Sequence, residues 1–314
     1  MRLSRREAIL GATAGVAAPG FASADDPRLG AGAAFGFATL DIGSAAIAKR
    51  DGASLDADMA YVNRDVRFPM CSSFKWLLAA RVLSRVDSGL ERLDRRVAFN
   101  PADLKEYAPA AKAALEKAGG VRAEMTVDAL CEAAVTLSDN TAANLLLGAV
   151  DGPTGLTTWL RGQGDKVTRL DRVEPAMNYV PLGDPRDTTT PAAMVRDVHR
   201  FLFGNALTPP SRRILMRWML DCKTGETRVK AGLLPGWRIA QKTGTLNYRP
   251  GVRAASGDVG VVFSPKGKTI LFAAYTAGST HRQADVDGWF ADIGRAMSLT
   301  PPSTGGPVRQ RLGR

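Results

Sequence analysis

The chain has 314 residues, 45% hydrophobic and 23% charged, an ordinary globular composition that supports one large core or two smaller ones, and no apolar run is long enough for a mature membrane span. A formal charge of +11 suits an anionic substrate or polymer, but the basic residues are scattered rather than striped with aromatics and no nucleic-acid motif is present, which argues against nucleic acid as a partner. Three cysteines and two histidines, widely spaced, argue against a metal site, and no cofactor motif is found.

Residues 1–24 read as an export segment. Arg5-Arg6 precedes a mild apolar stretch rich in Gly and Ala, and Ala22-Ser23-Ala24 is a small-residue cleavage site. The paired arginines predict twin-arginine export to the periplasm or the outside, with no membrane attachment after cleavage. Loss of three arginines and one glutamate lowers the formal charge from +11 to +9.

Phe35–Asp41 and Ala46–Ala48 are predicted strands, and Met59–Val62 a third. A helix follows from Ser72 to about Ser88, stopped by Gly89. Helical patterns cover 100–120, after Asn100-Pro101, and Met125 to Ala149. Residues 163–190 are dense in Pro, Gly, Asp and Arg and read as a long irregular loop, a feature that is often functional when it occurs in a compact domain. Helices resume after Pro191 and at Ser211–Leu220. Three strand-like runs (237–242, 256–263 and 269–275) precede a last helix over Ala284–Ser298. Strands therefore flank a helical middle. The expected fold is α/β (α+β): an antiparallel sheet built from both chain ends with flanking helices, and an inserted all-helical subdomain. The expected division is 25–66 with 220–299 for the α/β part, 67–219 for the helical part with a loop at about 168–187, and a disordered tail over 300–314.

Four short patterns occur in order along this frame. Ser72-x-x-Lys75 puts a hydroxyl and an amine on one helical face, so the amine can reach the serine oxygen. A serine hydroxyl is a poor nucleophile until a neighbour takes its proton. Ser138-Asp139-Asn140 sits between helical segments, Glu174-Pro175-Ala176-Met177-Asn178 lies in the long loop, and Lys242-Thr243-Gly244-Thr245 ends a strand. Taken singly each is unremarkable: a helix cap, a solvated loop charge, a strand end. Their conjunction in this order is far less probable by chance.

In these residues the chain resembles the class A serine β-lactamases, within the broader penicillin-recognising serine acyltransferases, whose Ser-x-x-Lys, Ser-Asp-Asn and Lys-Thr-Gly elements it carries. The resemblance extends over nearly all of the chain after the export segment, and the β-lactamase/D,D-peptidase fold it implies agrees with the expected layout. It implies β-lactam antibiotics as substrates and a monomer without metal or cofactor. Ser72 would be the nucleophile, with an oxyanion held between the backbone N–H groups of Ser72 and Thr245. Ser138 would pass a proton to the lactam nitrogen, with Lys75 and Lys242 polarising it. Asn140 would hold the substrate's side-chain amide and orient Lys75. Lys242, Thr243 and Thr245 would bind the substrate carboxylate, with Arg228 as a second cation. Glu174, with Asn178, would hold and deprotonate the deacylating water, while the acylation base is left open between Glu174 and Lys75. Arg172 and Asp187 would close the neck of the loop, and Tyr107 would stand at the cleft mouth.

The chain also departs from the family pattern. Cys71 precedes the nucleophile, as in carbapenem-hydrolysing relatives, but Leu246 stands where those relatives place its partner. Cys131 faces Ala79 in the same sense, so neither disulfide is expected. Val173 replaces a common tryptophan, and the Gly244–Asp258 hairpin is longer than usual, which bears on the acyl side of the substrate. Thr245 permits an extra hydroxyl contact to the carboxylate, as in relatives that favour cephalosporins or carbapenems. The alternatives are a penicillin-binding D,D-peptidase and a β-lactam sensor that stays acylated. Glu174, Asn178 and the lack of a membrane helix argue against both.

Overall fold

The computed structural model describes residues 33–43, 55–181, 183–249, 252 and 254–299. The expected export segment, the expected tail and the expected strand at 46–48 lie outside the described residues.

In chain order the elements are β1 (Ala34–Asp41), β2 (Ala60–Val62), β3 (Phe68–Pro69), a 3-10 turn at Cys71–Phe74, and α1 (Lys75–Asp87). Then come β4 (Arg96–Phe99), α2 (Pro109–Lys117), β5 (Ala123–Thr126), α3 (Val127–Thr136), α4 (Asn140–Gly148) and α5 (Gly152–Gly162). After the long loop follow β6 (Thr188–Thr189), α6 (Pro191–Leu202), α7 (Pro209–Leu220) and the single turn α8 (Val229–Gly232). The chain closes with β7 (Arg238–Leu246), β8 (Ala254–Phe263), β9 (Thr269–Ser279) and α9 (Gln283–Leu299).

The main sheet runs β2-β1-β9-β8-β7, and every neighbouring pair is antiparallel. The N-terminal strand thus pairs with the last strand along its whole length, from Ala34↔Ala277 to Asp41↔Ile270. β8 and β9 are buried on both faces almost throughout, which is why they read in sequence as near-continuous apolar runs instead of an alternating pattern. One face packs Leu40, Val259, Val261, Leu271 and Tyr275 into the large core shared with the helices. The other face packs Phe35, Val262, Ile270 and Phe272 against Trp289, Phe290 and Ile293 of α9.

α1 lies at the centre of the helical layer. Its residues Lys75 to Ala80 are fully buried, while Arg81, Ser84 and Arg85 lie partly exposed on its outer side and Asp87 is exposed at its end. Side-chain caps fix where its neighbours begin. Thr126 Oγ1 accepts from Ala129 N at 3.1 Å, Asp139 Oδ1 from Ala142 N at 2.8 Å, and Thr190 Oγ1 from Ala193 N at 3.2 Å. In the region read as helical from Met125 to Ala149, β5 runs on to Thr126, and α3 and α4 are separated at Ser138, whose φ is +61°, as its place between helical segments led one to expect. Over 100–120 the structure has a 3-10 turn at Pro101–Asp103, with Asn100 and Asp103 in a capping box, and then α2. No helix among the described residues is long and apolar enough to cross a membrane.

Candidate active site

The turn that carries Ser72 is gripped from two sides. Cys71 has φ +43°, a left-handed conformation unusual for a residue with a Cβ, and it turns the chain into the 3-10 turn that carries Ser72. Met70 N donates to Asp187 O at 3.0 Å, and Ser73 Oγ donates to Met70 O at 2.7 Å. From the other side β7 presses so closely that a Cβ on Gly244 would lie 2.3 Å from Met70 O and 2.9 Å from Ser73 N. Ser72, Lys75 and the Lys242–Thr245 strand are therefore brought together by a backbone approach that only glycine permits.

Ser72 Oγ donates to Glu174 Oε1 at 2.9 Å, and Lys75 Nζ lies 3.0 Å from the same oxygen. The serine and the lysine thus meet on a shared carboxylate oxygen. Lys75 Nζ also donates to Asn140 Oδ1 at 2.5 Å and to Ser138 O at 2.8 Å. The Ser138 hydroxyl accepts from Lys242 Nζ at 3.0 Å. Asp139, between them, faces away from this cluster. It caps α4 and accepts from Ala110 N and Ala111 N at 2.9 and 3.0 Å, tying the start of α2 to the break at Ser138.

Glu174 is almost completely buried, and its second oxygen accepts from Asn178 Nδ2 at 2.6 Å. Its backbone is bracketed by Asn144, which accepts from Glu174 N at 3.0 Å and donates to Glu174 O at 2.8 Å. The loop's neck is closed by Asp187, fully buried, whose carboxylate accepts from Asp171 N, Arg172 N and Arg172 Nε at 2.7, 3.0 and 2.6 Å. This is an ion pair built into the fold rather than two solvated charges.

Beyond Lys242 the strand presents Thr243 and Thr245. Thr243 Oγ1 lies 2.6 Å from Thr224 Oγ1, and Thr245 Oγ1 accepts from Arg228 Nη2 at 2.6 Å. Arg228 is buried and fixed through Gly244 O and Gly257 O, at 2.9 and 2.8 Å, and through Asp287 Oδ1 at 2.9 Å. Tyr107 is half exposed, and its carbonyl accepts from Asn140 N at 2.8 Å.

Burial lowers the pKa of Lys75, with Glu174 pulling it back up. Burial pushes Glu174 upward, but the Lys75 charge and the hydrogen bonds from Lys75, Ser72 and Asn178 outweigh it, so the carboxyl stays below its ordinary value and ionised at neutral pH. Burial brings Lys242 down to about 7, opposed by Cys222 and deepened by Lys75. Burial raises Asp258, which pairs with Thr243 in the sheet register, to about 8 against the pull of Arg228. Burial also pushes the Cys71 thiol up to about 12, which keeps it unreactive beside Ser72. All three cysteines are buried and free.

Of the residues predicted from the sequence, Ser72, Lys75, Ser138, Asn140, Glu174, Asn178 and Lys242 are joined in one hydrogen-bonded cluster, Arg228 is bonded to Thr245, Arg172 to Asp187 at the neck of the loop, and Tyr107 enters only through its backbone carbonyl. Three contributors lay outside that prediction. Asn144 sits one helical turn after Asn140 on the same face of α4, a spacing that was a usable signal. Asp287 and Asp258 carry no local signal, since only the tertiary fold brings them to Arg228 and Lys242.

The model of the beta-lactamase enzyme family matches residues 45–299. The chain belongs to the class A β-lactamase family. An ancestral (GNCA) class A β-lactamase superposes with a TM-score of 0.74 at 44% identity, covering 85% of this chain and 94% of that one. A β-lactamase from Xanthomonas campestris superposes with a TM-score of 0.74 at 38% identity, covering 85% of this chain and 91% of that one. β-Lactamase L2 of Stenotrophomonas maltophilia is 47% identical over 182 residues, a match that spans 58% of each chain.

Proposed function

We propose that the protein hydrolyses the amide bond of β-lactam antibiotics through a Ser72 acyl-enzyme and thereby confers resistance to them. The observation that carries this reading is Glu174: one oxygen is shared by Ser72 and Lys75 and the other is held by Asn178. Ser72 Oγ attacks the lactam carbonyl carbon and its proton passes to Glu174, the acceptor at hydrogen-bond distance. The N–H groups of Ser72 and Thr245 receive the oxyanion. As the C–N bond breaks, the Ser138 hydroxyl, polarised by Lys242, donates its proton to the leaving nitrogen and is reprotonated through Lys75, which takes up the proton that Glu174 received from Ser72, so Glu174 is again a carboxylate. Water held by Glu174 and Asn178 then loses a proton to Glu174 and attacks the ester carbonyl. The Ser72–acyl bond breaks and Ser72 regains its proton.

Lys242, Thr243, Thr245 and Arg228 receive the substrate carboxylate, where charge-assisted bonds are strongest, and Asn140 receives the side-chain amide. Tyr107 flanks the mouth, and the Arg172–Asp187 pair keeps the loop in place. In this reading the helical part spans 67–219 and the α/β part 25–66 and 220–299. The protein leaves the cytoplasm by the twin-arginine route, loses residues 1–24, and works as a monomer in the periplasm or outside the cell.

The deciding experiment mixes the purified protein with a penicillin and a chromogenic cephalosporin and follows both absorbance and intact mass. Turnover without a lasting mass increase is expected. In Glu174→Ala a stoichiometric acyl adduct should persist, with turnover reduced by at least about a thousandfold because the activated water is lost. A parent protein that itself holds a lasting adduct would favour the D,D-peptidase or sensor reading. Parental turnover in Glu174→Ala would place water activation on another residue.

A further inference from the structure

The hairpin after β7 and the loop that carries Glu174 are joined across the end of the cleft by a contact that the hydrolytic cycle does not use. Arg249, three residues beyond the end of β7, donates from Nη2 to the Tyr179 hydroxyl, and its guanidinium also stands over the Tyr179 ring, 5.5 Å from the centroid. Tyr179 directly follows Asn178, the partner of Glu174 Oε2. Its backbone is pinned from beneath, because Arg172, already bound to Asp187, donates from Nη1 to Tyr179 O at 3.1 Å. The ring of Tyr179 is therefore held by Arg249 and its backbone by Arg172. Arg249 is in turn placed by a bridge pairing with Val252, whose two hydrogen bonds are 3.1 and 2.8 Å.

The position of this contact gives it a consequence for substrates. The reading proposed above puts the substrate carboxylate against Lys242, Thr245 and Arg228. The acyl substituent then extends the other way, past Asn140 and Asn178, toward the gap between the end of β7 and the loop. Arg249 and Tyr179 span that gap. We propose that the Arg249–Tyr179 clasp is a specificity determinant of this enzyme, which narrows the acyl end of the cleft and disfavours β-lactams with bulky, branched acyl groups. The proposal rests on the hydrolase reading. Both side chains are exposed, and a cation over an exposed ring is a weak contact, so the clasp biases the cleft toward slender acyl groups without sealing it. A steric misfit in a specificity pocket changes kcat/KM by roughly 10-fold to 200-fold, and an openable clasp belongs at the low end of that range.

The test measures kcat/KM of the full chain for benzylpenicillin and for a cephalosporin with a branched oxyimino acyl group, in the parent, Arg249→Ala, Tyr179→Phe and the Arg249→Ala/Tyr179→Ala double variant. The ratio of oxyimino substrate to benzylpenicillin should rise about tenfold in Arg249→Ala and less in Tyr179→Phe, which keeps the ring under the guanidinium. The double variant should gain no more than about twofold beyond Arg249→Ala, since both changes remove one contact. A parent that hydrolyses penicillin, with an Arg249→Ala ratio within about twofold of it or below it, overturns the clasp alone. An equal loss on both substrates means that the contact only stiffens the loop and likewise overturns it. A parent that turns over neither substrate overturns the hydrolase reading and the clasp with it.

Discussion

Lys242 is fully buried beside Lys75 and Arg228, and the carboxylate binding proposed for it depends on its staying cationic. Burial, together with the neighbouring Lys75 and Arg228, brings it down to about 7, while Cys222 and Glu174 act in the opposite direction. A lysine whose pKa is lowered carries its charge below that value and loses it as pH rises through it, so attraction for a substrate carboxylate weakens above neutrality. kcat/KM reports the free enzyme, so it should fall along an alkaline limb that begins near neutrality. kcat reports the complex, where the bound carboxylate holds the proton on Lys242, so its limb should lie at higher pH. Lys242→Arg, which stays protonated, should carry the kcat/KM limb upward by at least about one pH unit. A pH–rate profile of the two proteins checks this, and parallel limbs would remove Lys242 as the titrating group. At this scale the proposed site was legible because its members recur in short local patterns: Ser72 with Lys75, Ser138 with Asn140, Glu174 with Asn178, and Lys242 with Thr245. Asp258 and Asp287 were not legible. Each acts on residues far away in sequence, and a single aspartate in a strand or a helix carries no mark of what the fold places beside it.

The proposed site depends most on one contact between elements, the packing of β7 against the Ser72 turn. Gly244 leaves no space for a methyl group: its Cβ would meet Met70 O at 2.3 Å, Ser73 N at 2.9 Å and Cys71 Cβ at 3.1 Å. The first two are backbone atoms, so the turn itself must shift. Gly244→Ala should therefore slow acylation by about a hundredfold, since a displacement near 1 Å at the reacting groups costs that much. The Ser72 turn and the Thr243–Thr245 segment would separate, while the β7–β8 register, anchored at both ends from Arg238↔Phe263 to Leu246↔Ala255, keeps the sheet together. Stopped-flow acylation beside a thermal melt distinguishes this from general unfolding. Strands β8 and β9 were legible as long apolar runs and β7 as a strand-like run ending in Lys-Thr-Gly-Thr, and α1, α6, α7 and α9 from their apolar patterns and boundary residues. Other elements were not. α5 opens with Gly152-Pro153-Thr154-Gly155, residues that read as a turn, and its helical identity comes from burying Leu156, Trp159 and Leu160. β4 and β5 form a two-stranded ribbon of four residues each, too short for periodicity to register. The place of the break at Ser138 was legible but its geometry was not, because a positive φ at a serine has no sequence signature, although that geometry is what aims Asn140 at Lys75 and the Ser138 hydroxyl at Lys242.

On the scale of the whole molecule, the two ends of the chain build one sheet, and the layer behind it reaches through to the cleft. α9 seals the outer face with Trp289, which packs on Phe35 of the first strand with ring centroids 5.3 Å apart and on Phe290 at 5.0 Å. The same helix supplies Asp287, which accepts from Arg228 Nε at 2.9 Å and Thr227 Oγ1 at 2.5 Å, while Gln283 Nε2 donates to Asp287 Oδ1 at 2.7 Å. Arg228 then passes between the layers to Thr245 Oγ1 in the cleft, with its guanidinium 5.4 Å from the Phe290 ring centroid. Asp287 touches no part of the cleft, yet it is the only carboxylate bonded to Arg228 among the described residues. In Asp287→Ala the two carbonyl contacts, Gly244 O and Gly257 O, still hold one end of the guanidinium, but the Nε side is released. Arg228 should lose its fixed aim at Thr245 and at a bound carboxylate. That interaction is made equally in the ground state and the transition state, so its loss should raise KM about tenfold with a smaller change in kcat. Asp287→Asn, which keeps an oxygen toward Arg228 Nε, should recover a large part of the loss. Steady-state kinetics on the two variants decides the matter. A fall in kcat without a rise in KM would mean that the rear helix acts on the nucleophile turn, through the packing of β7, and not on the carboxylate pocket.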